Sequence, residues 1–357
     1  MVLVLKNEEM EDLVPMAQEV EAIEQAFHEM GAGKAVNAPR ARLRVQAPGK
    51  EEGVQYYFNN IMGLVPGIKS MALRIDSSFS REDNVAGSKR RVYPGNYVGL
   101  VFLFDMESCD LLAILDDHVP SVMRVGATSG VAIKYLARKD AKVMGLLGSG
   151  EQAKSQLEAA CSVRPLEKIK VYSPTRANRE RFAAEMSRKT GVKVAAVDTA
   201  EEAVRESDIV TAATNTVDPV VKGAWLSRGC HVNSIVGGDG YLPRRELDDE
   251  TILRAGLIVV GYKKQIFLDR QAEFSDRLAR GLVREEDLYE LGELLNGSCR
   301  GRKDDREITL FKNNTGMGIQ FAATARRIYE AARARGIGTQ LPSELFVTRR
   351  GDKLYSP

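Results

Sequence analysis

Val143-Met-Gly-Leu-Leu-Gly148-Ser-Gly150-Glu-Gln-Ala153 is the stretch that decides the fold class. Residues 143–147 form an uninterrupted apolar run, which reads as a strand buried on both faces. A glycine turn follows at once, and EQAKSQLEAACSV then reads as a helix. Each small residue of this G-x-G-x-x-A pattern has a physical reason. Gly148 permits the tight turn, and Gly150 lets the backbone approach a diphosphate. Ala153 lets the helix pack close on the strand with its N-terminus facing the anion.

The same rhythm continues on the C-terminal side. KIKVYS, VKVAAVD, DIVTAAT, HVNSIV and LIVVG read as strands, and RANRERFAAEMSRKTG and AEEAVRES as helices between them. Short apolar runs alternating with amphipathic helices imply βαβ units, so the fold class is α/β with a doubly wound parallel sheet of the Rossmann type. Beyond about residue 262 the chain reads as mostly helical and charged, and FAATARRIYEAARARG is an amphipathic helix ending at Gly336.

The N-terminal side differs. Val2–Leu5 reads as a strand, followed by helical segments that Pro15 interrupts and Gly31 and Gly33 stop. VQYYFNNIM, SMALRIDSSF, NYVGLVFLFDM and LLAILDD are short apolar runs broken by Gly and Pro, the signature of an antiparallel meander. DHVPSVMRVGATSGVAIKYLARKDA then reads as a helix leading into the parallel sheet.

Composition narrows the function classes. With 357 residues the chain is long enough for about two domains. Lys+Arg at 51 against Asp+Glu at 49 gives no basic surface that would call for nucleic acid. No apolar run approaches the roughly 20 residues of a membrane span, and MVLVLKNEEMEDL is too soon interrupted for a secretory segment. Cys109, Cys161, Cys230 and Cys299 lie far apart, which points to a reducing cytoplasm rather than a disulfide scaffold. His28, His118 and His231 are isolated, so no metal site is expected.

Candidate cofactor residues follow from the strand ends. A preference for NAD calls for Asp or Glu at the tip of the second strand. Here the tip is Ser173, followed by Pro174, Thr175 and Arg176, with Arg179 one turn on. Arg176 suits a ribose 2′-phosphate, so NADP is expected over NAD, with NAD possible. Thr214 and Asn215 end the fourth strand, and Val236 and Gly237 follow the fifth. Asp239, among glycines at that edge, reads either as a proton-transfer group or as a turn residue.

Four stretches, taken in order, resemble the ornithine cyclodeaminase/mu-crystallin family, which includes archaeal-type alanine dehydrogenases and ketimine reductases. They are Met123-Arg124-Val125-Gly126-Ala127-Thr128-Ser129, LLGSGEQAKSQ, NSIVGGDGYLPRREL and LFKNNTGMGIQFAA. The resemblance implies a Rossmann domain at residues 129–315, and an α+β substrate-binding and dimerisation domain from residues 1–128 and 316–357 with the antiparallel meander. A homodimer is implied with it.

Residue by residue, the resemblance makes Asp239 the catalytic aspartate and Arg124 a substrate-carboxylate arginine. Gly148, Ser149, Gly150, Gln152 and Ala153 become the cofactor turn, joined by Thr128. A second carboxylate contact falls on Arg40, with Arg42 as competitor. The family's active-site lysine aligns with Arg74, or with Lys69 on a shorter loop. An arginine there titrates far less readily than lysine. VQYYFNN lacks the glutamate of ornithine-specific members, and Phe321 stands where an aspartate is often found; both put ornithine in doubt.

The activity implied is hydride transfer at the α-carbon of an amino acid or its imine, as in a ketimine reductase or amino acid dehydrogenase. The rivals are cyclodeamination of L-ornithine with catalytic NAD, and NADP-dependent binding of a small ligand without turnover.

Overall fold

The computed structural model describes residues 1–85, 88–237, 244–313 and 316–347. Two compact units emerge. One comprises Met1–Val14, Val36–Pro120 and the chain from Met317; the other comprises Pro15–Ala35 and Ser121–Gly316.

In the second unit, eight parallel strands run in the order Lys193–Ala196, Lys168–Tyr172, Val143–Leu147, Ile209–Ala212, His231–Ser234, Thr309–Lys312, Leu257–Val260 and Leu288–Glu290. Strand order reverses between Val143–Leu147 and Ile209–Ala212, the switch point at which such sheets bind ligands. Successive residues feed opposite faces. Met144 and Leu146 join Ile169, Leu157 and Phe182 in one core, while Leu147 joins Val210, Val232, Leu310 and Phe274 in another. The doubly wound α/β expectation is met.

Two strands of this sheet escape the sequence reading. Leu288–Glu290 has three residues, too few for a periodic signal. Thr309–Lys312 is fully buried, yet its ends are Thr and Lys within a charged stretch, and it enters between His231–Ser234 and Leu257–Val260. Hydropathy alone does not mark a strand whose polar ends are satisfied only after folding.

The contact-defined units also differ from a division at residues 128 and 316. Helix Met16–Gly31 groups with the parallel sheet, packing on helices Glu151–Val163 and Leu291–Leu295. Asn296 Nδ2 donates to His28 O at 2.8 Å, and Lys134 pairs with Glu24 at 2.7 Å. Residues 121–128 group with it too.

The first unit holds a nine-stranded mixed sheet. Thr339–Leu341, Val2–Leu5, Leu111–Asp116, Tyr97–Asp105, Ser70–Val85, Gln55–Val65 and Val36–Asn37 are neighbours in that order, while Ala41–Gln46 and Ser88–Val92 pair at the side. All pairings are antiparallel except that of Val2–Leu5 with Leu111–Asp116. One face carries the buried side chains of Ile61, Val65, Ala72, Val101, Leu103 and Leu115, and helix Gly318–Arg335 packs on that sheet. The opposite face carries Phe58, Leu73, Ile75, Val98, Leu100 and Phe102, none of them buried.

The helix starts at the sheet surface. Asn37 Oδ1 accepts from Gly318 N at 2.7 Å, and a Cβ on Gly318 would lie 1.9 Å from Met62 C and 2.1 Å from Gly63 N. Backbone is the obstacle, so relief requires moving a whole element. Gly318→Ala is therefore expected to cost about 1–3 kcal/mol. The check is a lowered urea midpoint with unchanged slope; an unaltered midpoint rejects the close approach.

Candidate functional site

At the carboxyl edge of the parallel sheet, the Gly148–Gly150 turn leads from strand to helix as the sequence indicates. Gly148 has φ +116°, and its N–H donates to Tyr172 O at 2.8 Å. A Cβ there would meet Ala213 O at 2.2 Å, so only glycine lets the first strand's turn lie against the fourth strand's end. Gly150 is the N-cap, without a side-chain cap bond, and a Cβ on it would meet nothing within 4 Å. The helix therefore opens into space with its first-turn amides forward, the arrangement that receives an anion. Ala153 is buried, as close helix packing requires.

Gln152 lies in the first turn of that helix. Its Oε1 is buried and has no hydrogen-bond partner among the described residues. The backbone cradle and the open N-terminus fit a dinucleotide.

At the neighbouring strand tip, Ser149 Oγ donates to Ser173 Oγ at 2.9 Å. Arg176 opens its helix with a 76% exposed side chain, and its Nε donates to Glu180 Oε1 at 2.7 Å. Arg179 is the buried arginine instead. It donates to Ser173 O at 3.1 Å, pairs with Asp198 at 2.6 Å and lies over the Tyr172 ring at 5.8 Å. Its spacing on the helix was legible; its inward aim was not.

At the same edge Thr214 and Val236 are held by Glu246, a buried carboxylate, and Asn215 and Gly237 by Arg244. Oε1 accepts from Thr214 N at 2.7 Å and Thr214 Oγ1 at 2.9 Å. Oε2 accepts from Ile235 N at 2.7 Å, Val236 N at 2.9 Å and Ser234 Oγ at 2.8 Å. Arg244 donates to Asn215 Oδ1 at 2.9 Å and Gly237 O at 2.7 Å. Lys312 donates to Ser234 Oγ at 2.7 Å and pairs with Glu273, which accepts from Glu246 N at 2.7 Å and Leu247 N at 3.1 Å. Burial pushes the Glu246 carboxyl above its usual range, and the Lys312 ammonium opposes that shift. Sequence reading missed Glu273, and Glu246 and Lys312 appeared only inside motifs. Asp239 lies outside the described residues.

Thr128 Oγ1 donates to Arg124 O at 2.7 Å within helix His118–Leu136, and Arg124 is nearly buried. Asn313 Nδ2 donates to Val125 O at 2.9 Å and Ser129 Oγ at 3.1 Å, fixing that turn of the helix. Arg124 and Thr128 thus belong to the parallel-sheet unit.

Arg40, Arg42, Lys69 and Arg74 belong to the mixed-sheet unit. Arg42 stands opposite Asn59, which stands opposite Asp76, so these three share one sheet face. Arg40 immediately precedes strand Ala41–Gln46. Arg74 lies on the face of Asp76 and is committed to its neighbours. Nε donates to Asp117 Oδ2 at 2.8 Å, a terminal nitrogen pairs with Asp76, and the other donates to Tyr97 OH at 2.6 Å. Tyr97 OH donates in turn to Asp117 at 2.8 Å, and Asn59 Nδ2 donates to Asp76 at 2.8 Å. Burial and these carboxylates push the Tyr97 phenol well above its ordinary range. Lys69, in left-handed backbone at the hairpin tip, is half-exposed and pairs with Glu107 at 2.9 Å. Five residues of strand put it about 17 Å from Arg74.

Comparison with known proteins agrees with this architecture. The family model described as ornithine cyclodeaminase/mu-crystallin family matches residues 2–336. An alanine dehydrogenase of Archaeoglobus fulgidus is 32% identical over 340 residues, covering 95% of this chain and 98% of the relative. Among solved structures, Thermococcus litoralis Δ(1)-pyrroline-2-carboxylate reductase in complex with NADH and L-proline is 33% identical. Its TM-score is 0.81, over 95% of this chain and 100% of that one. An archaeal alanine dehydrogenase dimer with bound NAD is 30% identical, with TM-score 0.79 over 96% and 99%. A glycine turn at the switch point, a buried carboxylate at the ends of its neighbouring strands and a match of this extent lead to one conclusion: the chain belongs to the ornithine cyclodeaminase/mu-crystallin family.

Proposed function

We propose that the protein is an NAD(P)-dependent oxidoreductase that exchanges hydride at the α-carbon of a small amino acid or its imine. The observation that carries this reading is the Gly148–Gly150 turn, with the Gln152 acceptor beside it, at the reversal of strand order. Kinship with an alanine dehydrogenase and a pyrroline-2-carboxylate reductase supports the substrate class.

A bound nicotinamide supplies the hydride chemistry. The chain's own residues bind and orient. Amides around Gly148, Ser149 and Gly150 hold the diphosphate, and Gln152 Oε1 accepts from the ligand. Ser173 leaves the tip of the second strand without a carboxylate, which favours a 2′-phosphate and NADP, and exposed Arg176 is the guanidinium that would pair with it. The family resemblance gives Arg124 as the arginine for the substrate carboxylate, bound through charge-assisted hydrogen bonds, and gives Arg40, with Arg42 as competitor, as a second carboxylate contact. Asp239 moves the proton at the substrate nitrogen.

Arg74 receives a structural part in this scheme, because its donors serve Asp76, Asp117 and Tyr97. Two carboxylates against one guanidinium leave the cluster net negative, an unfavourable host for a further carboxylate. Arg74→Lys supplies one ammonium where a fork spans three acceptors, and is expected to cost about 1–3 kcal/mol of stability. A variant with an unchanged denaturation midpoint and collapsed kcat would return Arg74 to the catalytic set.

A homodimer is part of the same reading. Leu43 is 64% and Val98 50% exposed, in line with Phe58 on the apolar sheet face. An apolar surface of this kind supports an interface there. Light scattering is expected to give a dimer for the native chain and a monomer for Val98→Arg; a native monomer removes this part. Free cysteines at all four positions support a reducing compartment such as the cytoplasm, and no helix among the described residues is long and apolar enough to cross a membrane.

The decisive assay offers cyclic imines, and 2-oxo acids with ammonia, to the purified protein with NADPH and NADH in parallel. Stoichiometric loss of reduced nicotinamide is expected, with kcat falling about 10²–10⁴-fold in Asp239→Asn. Ammonia release from L-ornithine without net absorbance change would establish cyclodeamination instead. Ligand binding that Asp239→Asn leaves intact, with no turnover of any substrate, would make the chain a binding protein.

A further inference from the structure

We infer that Glu246 is a positioning residue for the nicotinamide half of the cofactor, an inference that rests on the dinucleotide reading above. The ligand is linear, and its middle is fixed at the Gly148 turn. With its adenosine ribose at the tip of Lys168–Tyr172, its other end must cross the switch point toward Ile209–Ala212 and His231–Ser234. The backbone leaving those two strands is what Glu246 holds. Oε1 fixes Thr214 at the end of one, and Oε2 fixes Ile235 and Val236 at the end of the other. A single side chain thereby sets the spacing between the two turns.

The geometry requires a carboxylate. Five donors converge on two oxygens, three of them backbone amides. Glutamine offers one acceptor and turns an N–H donor toward amides that also donate, so at least one turn must shift. The support behind Glu246 is equally specific. Glu273 accepts from the Glu246 amide, and Lys312, from the next strand, donates to the serine that donates to Glu246. Carboxyl ends of three adjacent strands are thus tied to one anion, and the chain between Gly237 and Arg244, which includes Asp239 in sequence, leaves and returns at tethered points.

The test compares two probes on the intact protein. NADPH (or NADH, whichever the native protein binds) spans both halves of the site, whereas ADP lacks the nicotinamide. Glu246→Gln is expected to weaken the dinucleotide about tenfold or more while ADP affinity stays within about twofold, and to raise KM for the dinucleotide in the same proportion. Glu246→Asp, keeping two acceptor oxygens, should recover part of that loss. Thr214→Val, which removes one donor and creates no buried mismatch of charge, should shift dinucleotide affinity the same way by about two- to fivefold, and serves if Glu246→Gln does not fold. Equal weakening of ADP and dinucleotide reduces Glu246 to general support of the fold and overturns the inference, as does no weakening of either. A native protein that binds neither dinucleotide defeats the underlying reading instead, and is told apart by that measurement alone.

Discussion

Gly148 stands so close to the Ala213 carbonyl that no side chain fits between them, and the cofactor edge depends on that contact. It joins the end of the first strand to the end of the fourth, where strand order reverses. Parallel strands place all their carboxyl ends on one side, so the turns gathered there come from distant parts of the sequence. Close approach at Gly148 brings the turn at Ser149 and Gly150 beside the Thr214–Asn215 turn, and Glu246 carries the linkage onward to Val236. One steric requirement and one carboxylate together define a continuous floor of backbone along the edge.

The mixed sheet solves a different problem. Its two faces are both apolar in pattern, yet Ile61, Val65, Ala72, Val101, Leu103 and Leu115 are buried on one while Phe58, Leu73, Ile75, Val98, Leu100 and Phe102 on the other are not, and helix Gly318–Arg335 packs on the sheet. A meander with an open apolar face is an invitation to association, and the hydrophobic effect acts on area rather than on particular contacts. Exposure of Leu43 and Val98 therefore belongs to the same economy of burial as the packed residues Val101 and Leu103 on the reverse side.

Local signals were legible wherever the sequence alone dictates the physics. The Gly148 turn, the alternation after it, the Pro15 break and the Gly336 stop each depend on neighbours within a few residues. Long-range polar structure was not. Thr309–Lys312 is a strand because its neighbours bury it, and Lys312 is tolerated inside because Glu273 and Ser234 receive it. Arg74 read as a functional cation since nothing near it in sequence shows that Asp117, forty-three residues on, takes its Nε. Arg179 and Arg176 differ in the same manner: both open one helix, and only the fold decides which turns inward. The roles of Asp239, Arg124 and Arg40 came from family resemblance and carry the proposal forward.

Two buried clusters share a composition and differ in what they hold. Each sets two carboxylates against one cation: Asp76 and Asp117 around Arg74, Glu246 and Glu273 around Lys312. A surplus negative charge out of water is costly unless donors compensate it. Around Arg74 the compensation comes from side chains, Asn59 and Tyr97, so that cluster binds strand to strand. Around Lys312 it comes mainly from main-chain amides at the ends of parallel strands. A charge satisfied by side chains leaves the backbone free to choose its path, whereas a charge satisfied by amides dictates that path. The second arrangement is the one able to fix where a ligand rests, because the amides it orients belong to the turns that floor the cofactor edge.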